Sequence, residues 1–324
     1  MVSGAPRDVA LVFPGQGSQA VGMGKALHEA NPPSRQVYER ADRALGYPLS
    51  RTCFEGPEEA LRLTATTQPA VLVTSLAALA ALRATAPQEC MARVVCAAGH
   101  SLGEYSALVA AGALELDDAV RAVRRRGEHM QAAVPDGAGA MVALLGAPLE
   151  VVDALCREAA AGEVLSPANL NAPDQTVVAG TAAAVDRLAG LARSRGIRKV
   201  VRLPVSAPFH CALMEPARER LAQDLAALSV RDAAFPVVQN VSARAETRGA
   251  ALREALVRQV TAPVRWVESV IRMKEMGVRT LIEVGPGRVL CGLARRIAPD
   301  LALLNVEDPA SLGATLGALG AARS

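Results

Sequence analysis

The stretch RVVCAAGHSLGEYSALVAAGAL, residues 93–114, carries the sharpest structural signal in the chain. Residues 93–98 are apolar and partly β-branched, which reads as a short buried strand. Gly99-His100-Ser101-Leu102-Gly103 interrupts it, and from Glu104 onward the pattern is helical. The chain opens on a similar unit. Residues 9–13 (VALVF) run into Pro14-Gly15-Gln16-Gly17-Ser18, and a mixed helical pattern over residues 19–30 ends at Asn31-Pro32-Pro33. Such units at this spacing favour an α/β fold with a parallel sheet. Residues 68–86 form a long Ala- and Leu-rich helical stretch. Beyond residue 234 the alternation resumes. Residues 235–240 and 280–284 are strand candidates; residues 250–259, 266–276 and a segment from Arg288 are helix candidates. The Ala/Gly-rich end, residues 312–324, is expected to fray.

The middle of the chain has a different rhythm. Residues 140–145 (AMVALL) predict a strand and residues 148–159 a helix. Residues 164–169 and 175–179 predict two strands around the turn residues Asn171-Ala172-Pro173-Asp174. Residues 181–194 predict a helix that stops near Gly196. Residues 199–205 (KVVRLPV) predict a last strand, whose end Pro204 forces to an edge or outside the sheet. The order β-α-β-β-α-β is that of the ferredoxin-like motif. Two units are therefore expected: a large α/β one, residues 1–133 with 207–324, and a small α+β one inserted at 134–206.

Composition narrows the function. The 324 residues carry 35 Lys+Arg against 32 Asp+Glu, and the net charge of +3 is spread along the chain. Only 2% of residues are aromatic, so stacking aromatics on a clustered basic surface, the usual sign of a nucleic-acid binder, are not expected. No apolar run approaches the roughly 18 residues of a membrane span. Residues 1–8 lack the charged and apolar regions of a secretory signal. No membrane partner is expected, and the expected location is the cytoplasm. The six cysteines (53, 90, 96, 156, 211 and 291) show no C-x-x-C and no zinc-type spacing with histidine. They read as reduced thiols in or near the core, with no metal site.

Residues 99–103 fit G-x-S-x-G. In that motif the serine sits on a strained strand-to-helix turn, flanked by glycines because side chains there would strike neighbouring backbone. The turn projects the Ser101 hydroxyl outward and leaves the Leu102 N–H at the positive end of a helix, free to hold an oxyanion. The bland alternative is an ordinary turn, and the pattern alone arises by chance in about one such chain in ten. A serine nucleophile needs a base. His28 and His129 lie in helical stretches and read as surface residues. His100, next to Ser101, should point away from the hydroxyl and read as structural. By elimination His210 is the candidate base, its alternative being an exposed loop histidine. No acid between residues 101 and 210 stands out as a third triad member, but a carbonyl can orient the imidazole instead. In the first glycine-rich turn, Gly15 and Gly17 free the Gln16 N–H to point into a site; without a following Lys the turn is no phosphate loop. Arg124-Arg125-Arg126 reads as a solvated charge run, unless one arginine clamps a carboxylate in a water-poor cleft.

Taken together, these pieces resemble the malonyl-CoA:acyl carrier protein transacylases. The carriers of the resemblance are LVFPGQGSQ (11–19), TQPA (67–70), GHSLGEYSAL (99–108), RRRGEHMQ (124–131), VSAPFHCALM (205–214), PVRW (263–266) and VGPGRVLCGL (284–293). The resemblance implies an α/β-hydrolase-like core with a ferredoxin-like insertion. It implies Ser101 as acylated nucleophile, His210 as base, and the N–H groups of Gln16 and Leu102 as oxyanion hole. Arg126 would bind the free carboxylate of malonyl, and Gln259 would orient His210 through its main-chain carbonyl. Phe209, directly before the histidine, accompanies malonyl rather than methylmalonyl in related polyketide acyltransferases, and Leu102 agrees. Ala207-Pro208 departs from both patterns. Malonyl would pass by ping-pong from CoA to the phosphopantetheine thiol of acyl carrier protein, with no tightly bound cofactor. The implied setting is fatty acid synthesis. The alternatives are a stand-alone polyketide acyltransferase, a serine hydrolase on the same elbow, and a non-catalytic carrier-binding module.

Overall fold

The structure, a computed structural model, describes residues 7–205 and 207–321. Residue 206 and both extreme ends, including the last residues of the expected fraying segment, lie outside the described residues. The main sheet runs β10-β9-β1-β2-β7-β8, where β1 is Val9–Phe13, β2 Val94–Gly99, β7 Val237–Val238, β8 Ala245–Glu246, β9 Thr280–Val284 and β10 Ala302–Val306. All pairs are parallel except the terminal β7–β8 pair. β1 is buried along its whole length; strands covered on both faces read as continuous apolar runs, which is why VALVF and RVVCAA stand out.

A second sheet, β4-β5-β3-β6, is antiparallel throughout. Its strands are Gly139–Leu145 (β3), Leu165–Ala172 (β4), Gln175–Thr181 (β5) and Lys199–Arg202 (β6). The helices Leu149–Ala160 and Ala182–Ser194 cover one face and share an apolar cluster with the sheet. This is the ferredoxin-like arrangement, a small subdomain beside the α/β core. Its β4 also meets the large sheet's side of the molecule, where Leu170 N–H donates to the Val264 carbonyl and Val264 N–H to that of Ala168.

Several expectations need correction. The helical pattern over 19–30 condenses to Lys25–Ala30, because Gly22 and Gly24 adopt positive φ ahead of it. Asn31-Pro32-Pro33 is a corner between helices: Asn31 caps Pro32–Leu45 by accepting from Ser34 N–H. The turn in the small sheet shrinks to Pro173-Asp174, and the strand expected at 235–240 is only Val237–Val238. Among the described residues, one helix, Thr64–Thr85, is long and apolar enough to cross a membrane. The expectation of no such segment counted unbroken apolar residues and missed it, because Thr, Ser and Gln interrupt the run without making it hydrophilic. The helix is packed inside the molecule, with 89% of its apolar window buried, and it carries Gln68 into the interior. All six cysteines are free and buried.

The two large-sheet turns interlock at glycines. A Cβ on Gly103 would lie 2.2 Å from the Phe13 carbonyl oxygen, and one on Gly99 would lie 1.9 Å from the carbonyl group of Gly103. Both obstacles are backbone and cannot yield. Gly103→Ala should therefore lower stability by about 3 kcal/mol or more. Gly190→Ala, in helix Ala182–Ser194 with open space around it, should be neutral or stabilising by up to about 1 kcal/mol. Urea melts of the two variants check this; equal losses would show that the close approach is relaxed.

Candidate active site

Ser101 closes β2 and opens helix Gly103–Ala110 with φ at 52°, a left-handed conformation that non-glycine residues hold only when their surroundings enforce it. Here Asn240 enforces it. Its Oδ1 accepts from Ser101 N–H at 2.7 Å, and its Nδ2 donates to the Gly99 carbonyl at 2.7 Å. The Ser101 carbonyl is held in turn by Gln259 Nε2 at 3.0 Å. With its own N–H occupied, Ser101 leaves the N–H of Leu102, the residue capping the helix, as the donor on this side of the pocket.

His210 also sits at positive φ, 61°. Its Nε2 lies 2.8 Å from Ser101 Oγ, and its Nδ1 lies 2.8 Å from the main-chain oxygen of Gln259. A carbonyl can only accept, so Nδ1 carries the hydrogen and Nε2 presents its lone pair to the serine hydroxyl. No acid is needed to set the tautomer. The ring is 3% exposed. Burial, and next the Arg126 charge, push its pKa down to about 3.

Arg126 is 1% exposed. Nη1 donates to Gln68 Oε1 at 2.7 Å; Nη2 donates to Gln259 Oε1 and to Ser101 Oγ, each at 3.0 Å. Its Nε has no partner, and among the described residues no carboxylate lies within ion-pair distance. The other two arginines of the run face outward: Arg124 pairs with Glu128 and Arg125 with Asp224. They share a helix, Leu116–Gln131, separate from the one that follows Ser101. A buried guanidinium held by neutral acceptors is a ready site for an anion.

The pocket over Ser101 is lined by Gln16, Leu102, Arg126, Met130, Phe209 and, from the small subdomain, Met141, among others. Gln16 is delivered by the first glycine turn, where a Cβ on Gly15 would strike the His100 carbonyl oxygen at 2.5 Å. The fold thus brings Gln16, Ser101, Leu102, Arg126, Phe209, His210 and Gln259 to one place. His100 borders the pocket without bonding Ser101 Oγ: its Nε2 meets Asn171 Oδ1 at 2.8 Å and its ring packs on Trp266. His28 and His129 are half-buried rather than on the surface. His28 stacks with Tyr38 and Phe54, and His129 bonds Asp224.

Three residues of the site escaped the sequence reading. Asn240 gave no signal beyond standing at the end of a strand candidate. Gln68 and Glu104 stand inside the quoted blocks TQPA and GHSLGEYSAL, but no role was read for either. Glu104 is wholly buried. Its Oε2 accepts from Gln259 Nε2 at 2.8 Å and from Asn240 N–H at 3.0 Å. Burial pushes its carboxyl up to about 7, although the Asn240 and Gln259 bonds and the Arg126 charge all pull it back down.

A serine hydroxyl bonded to a buried histidine beside a buried cation, on an α/β sheet, fits a serine-dependent acyl transfer enzyme. The family model described as acyl transferase domain matches residues 10–299. The chain is 47% identical over 305 residues to the malonyl CoA-acyl carrier protein transacylase of Haemophilus influenzae, covering 94% of this chain and 97% of that one. The structure of the transacylase of that name from Coxiella burnetii superposes with a TM-score of 0.93 at 41% identity, covering 97% of this chain and 98% of that one. A malonyl-transacylase in complex with its type II polyketide synthase acyl-carrier protein superposes with a TM-score of 0.92 at 44% identity, covering 96% and 99%. The chain belongs to the malonyl CoA-acyl carrier protein transacylase family.

The low His210 pKa has a sign that can be tested. The folded ring binds a proton only near pH 3, whereas an unfolded histidine binds one near 6.5. The ring therefore stays neutral throughout the physiological range, and folding stability falls as pH drops from about 6.5 toward 3. In proton NMR, with His210→Gln for assignment, the His210 ring signals should not titrate between pH 8 and 5. A midpoint near 6.5 would show a solvated ring.

Proposed function

We propose that this chain moves malonyl from CoA to the phosphopantetheine thiol of acyl carrier protein through a malonyl-Ser101 ester, in the service of fatty acid synthesis. The observation that carries the reading is a single oxygen, Ser101 Oγ, touching His210 Nε2 at 2.8 Å and the otherwise anion-free Arg126 at 3.0 Å. In the first half-reaction Ser101 Oγ attacks the thioester carbonyl while its proton passes to His210 Nε2. The N–H groups of Gln16 and Leu102 take the oxyanion. The tetrahedral adduct collapses, the C–S bond breaks, and the CoA sulfur leaves with the proton from His210. The second half runs in reverse order, with the carrier's thiol giving its proton to His210 and attacking the ester. Arg126 receives the free malonyl carboxylate, and Phe209 restricts the space at the α-carbon. The reading calls for no tightly bound cofactor, and we place it in the cytoplasm.

We take residues 1–133 with 207–324 as one lobe and 134–206 as the other. This division is supported by the separate sheets and by the apolar cluster that the smaller sheet shares with its own helices. The active pocket then lies between lobes, with Met141 reaching in from the smaller one. The resemblance to a polyketide synthase's transacylase keeps a second carrier in view. Rates with fatty-acid and polyketide carrier proteins separate the two.

Intact-mass measurement after mixing with malonyl-, methylmalonyl- or acetyl-CoA tests the reading. A malonyl adduct mapping to Ser101 is expected, and it should be absent in Ser101→Ala. Rapid release of free malonate without any acceptor thiol would point to a hydrolase instead. Removing one partner of a buried, hydrogen-bonded charge pair typically takes away 2–5 kcal/mol. Arg126→Ala should accordingly slow malonyl loading by roughly thirtyfold or more, but acetyl loading by less than tenfold; equal losses for the two donors would refute the carboxylate clamp.

A further inference from the structure

Glu104 takes no part in the steps above, yet among the described residues it is the acidic side chain wired into the site. It lies in the first turn of helix Gly103–Ala110, three residues after the nucleophile, and is wholly buried. Both bonds to its Oε2 come from donors that also govern the site. The Asn240 N–H belongs to the residue that clamps Ser101 and Gly99, and Gln259 Nε2 belongs to the residue whose backbone orients His210. Its Oε1 has no partner.

The consequence runs through the Gln259 amide. Nε2 faces three acceptors: Ser101 O at 3.0 Å, Glu104 Oε2 at 2.8 Å and Asn240 Oδ1 at 3.3 Å. The opposite end, Oε1, accepts from Arg126 Nη2. Turning the amide over would set its oxygen against the Glu104 carboxylate and its NH2 against the guanidinium, two repulsive contacts in a dry interior. Nη2 of Arg126 is the same nitrogen that reaches Ser101 Oγ. A chain of oriented bonds therefore links Glu104, through Gln259, to the cation over the nucleophile.

We propose that Glu104 is a positioning residue for donor selection, whose Oε2 fixes the Gln259 amide and so aims Arg126 at the acyl carboxylate. The proposal rests on the malonyl reading of Arg126 and gives it a support that does not touch substrate. What it needs from Glu104 is an acceptor at the right reach rather than the charge itself. Glutamine can offer that acceptor with its carbonyl oxygen. Aspartate, one methylene shorter, draws it away.

The test compares wild type, Glu104→Gln and Glu104→Asp in loading assays with malonyl-CoA and acetyl-CoA, after melting curves establish folding. The wild-type chain sets the baseline: no adduct there sinks the malonyl reading, whereas the proposal fails only on variants of a chain that loads. Glu104→Asp should reduce the malonyl-over-acetyl preference at least tenfold, mainly as a higher KM for malonyl-CoA. Glu104→Gln should keep the preference within about threefold. A folded Asp variant with intact preference overturns the proposal, as does a tenfold loss of preference in the Gln variant with its Gln259 amide unmoved. Should the Asp chain not fold, a neutron crystal structure of the Gln variant, which shows the amide hydrogens, decides. Amide orientation and preference retained together, or lost together, support the proposal. A turned amide with preference intact overturns it.

Discussion

A guanidinium shut away from water with, among the described residues, no carboxylate in ion-pair contact is a costly thing to fold around, and the molecule is organised to hold one. Arg126 can be buried only because Gln68, Gln259 and Ser101 turn acceptors toward it. Each acceptor comes from a different segment: the central buried helix, the helix before Pro263, and the nucleophile turn. None can shift without leaving a buried N–H unpaired. Specificity and scaffold are thus the same set of bonds. A neutral acyl group entering this pocket leaves the cation as it was, whereas a carboxylate supplies what it lacks.

The geometry that makes this possible is set further down, in the sheet. β1 and β2 are adjacent parallel strands, with Phe13 paired to Gly99. Both end in glycine turns at the same edge, so Gln16 and Leu102 face one pocket. The turns touch through backbone, with His100 N–H donating to the Phe13 carbonyl at 3.0 Å. Any side chain on Gly15, Gly99 or Gly103 would wedge them apart. Ligand sites at the carboxyl ends of parallel strands follow from this topology, because there the loops are free while the strands are rigid.

The legible parts of this design were those written in consecutive residues. The strands VALVF and RVVCAA, the glycine turns and the ferredoxin-like order of the insertion are local patterns, and a parallel sheet announces itself by apolar runs. Contacts between distant segments were legible only in part. His210 could be reached by elimination, since the chain has four histidines. Glu104 and Asn240 could not, because their role depends on partners 136 residues apart. A buried carboxylate in an apolar helix looks, in sequence, like a misplaced surface residue. Helix Thr64–Thr85 was legible as a helix over 68–86, but its membrane-spanning length and apolarity were missed for a related reason: its polar residues are few, and several of them, Gln68 among them, turn inward to other side chains.

The electrostatics of His210 tie recognition to reactivity. Burial and the nearby Arg126 charge hold its pKa near 3, which makes it a weak base and its protonated form a strong acid. Left so, it would take the serine proton reluctantly. On the reading proposed above, a malonyl carboxylate on Arg126 would cancel the second of these influences, leaving burial and the smaller effect of His100 to oppose the imidazolium that forms during attack. An acetyl donor brings no such charge. On that reading the carboxylate that holds the donor would also ease the proton transfer that makes it react, so discrimination would fall on the transition state as well as on the bound complex. A side chain that merely positioned the substrate would act on only the second. Arg126, bonded to the nucleophile's own oxygen, is placed to act on both.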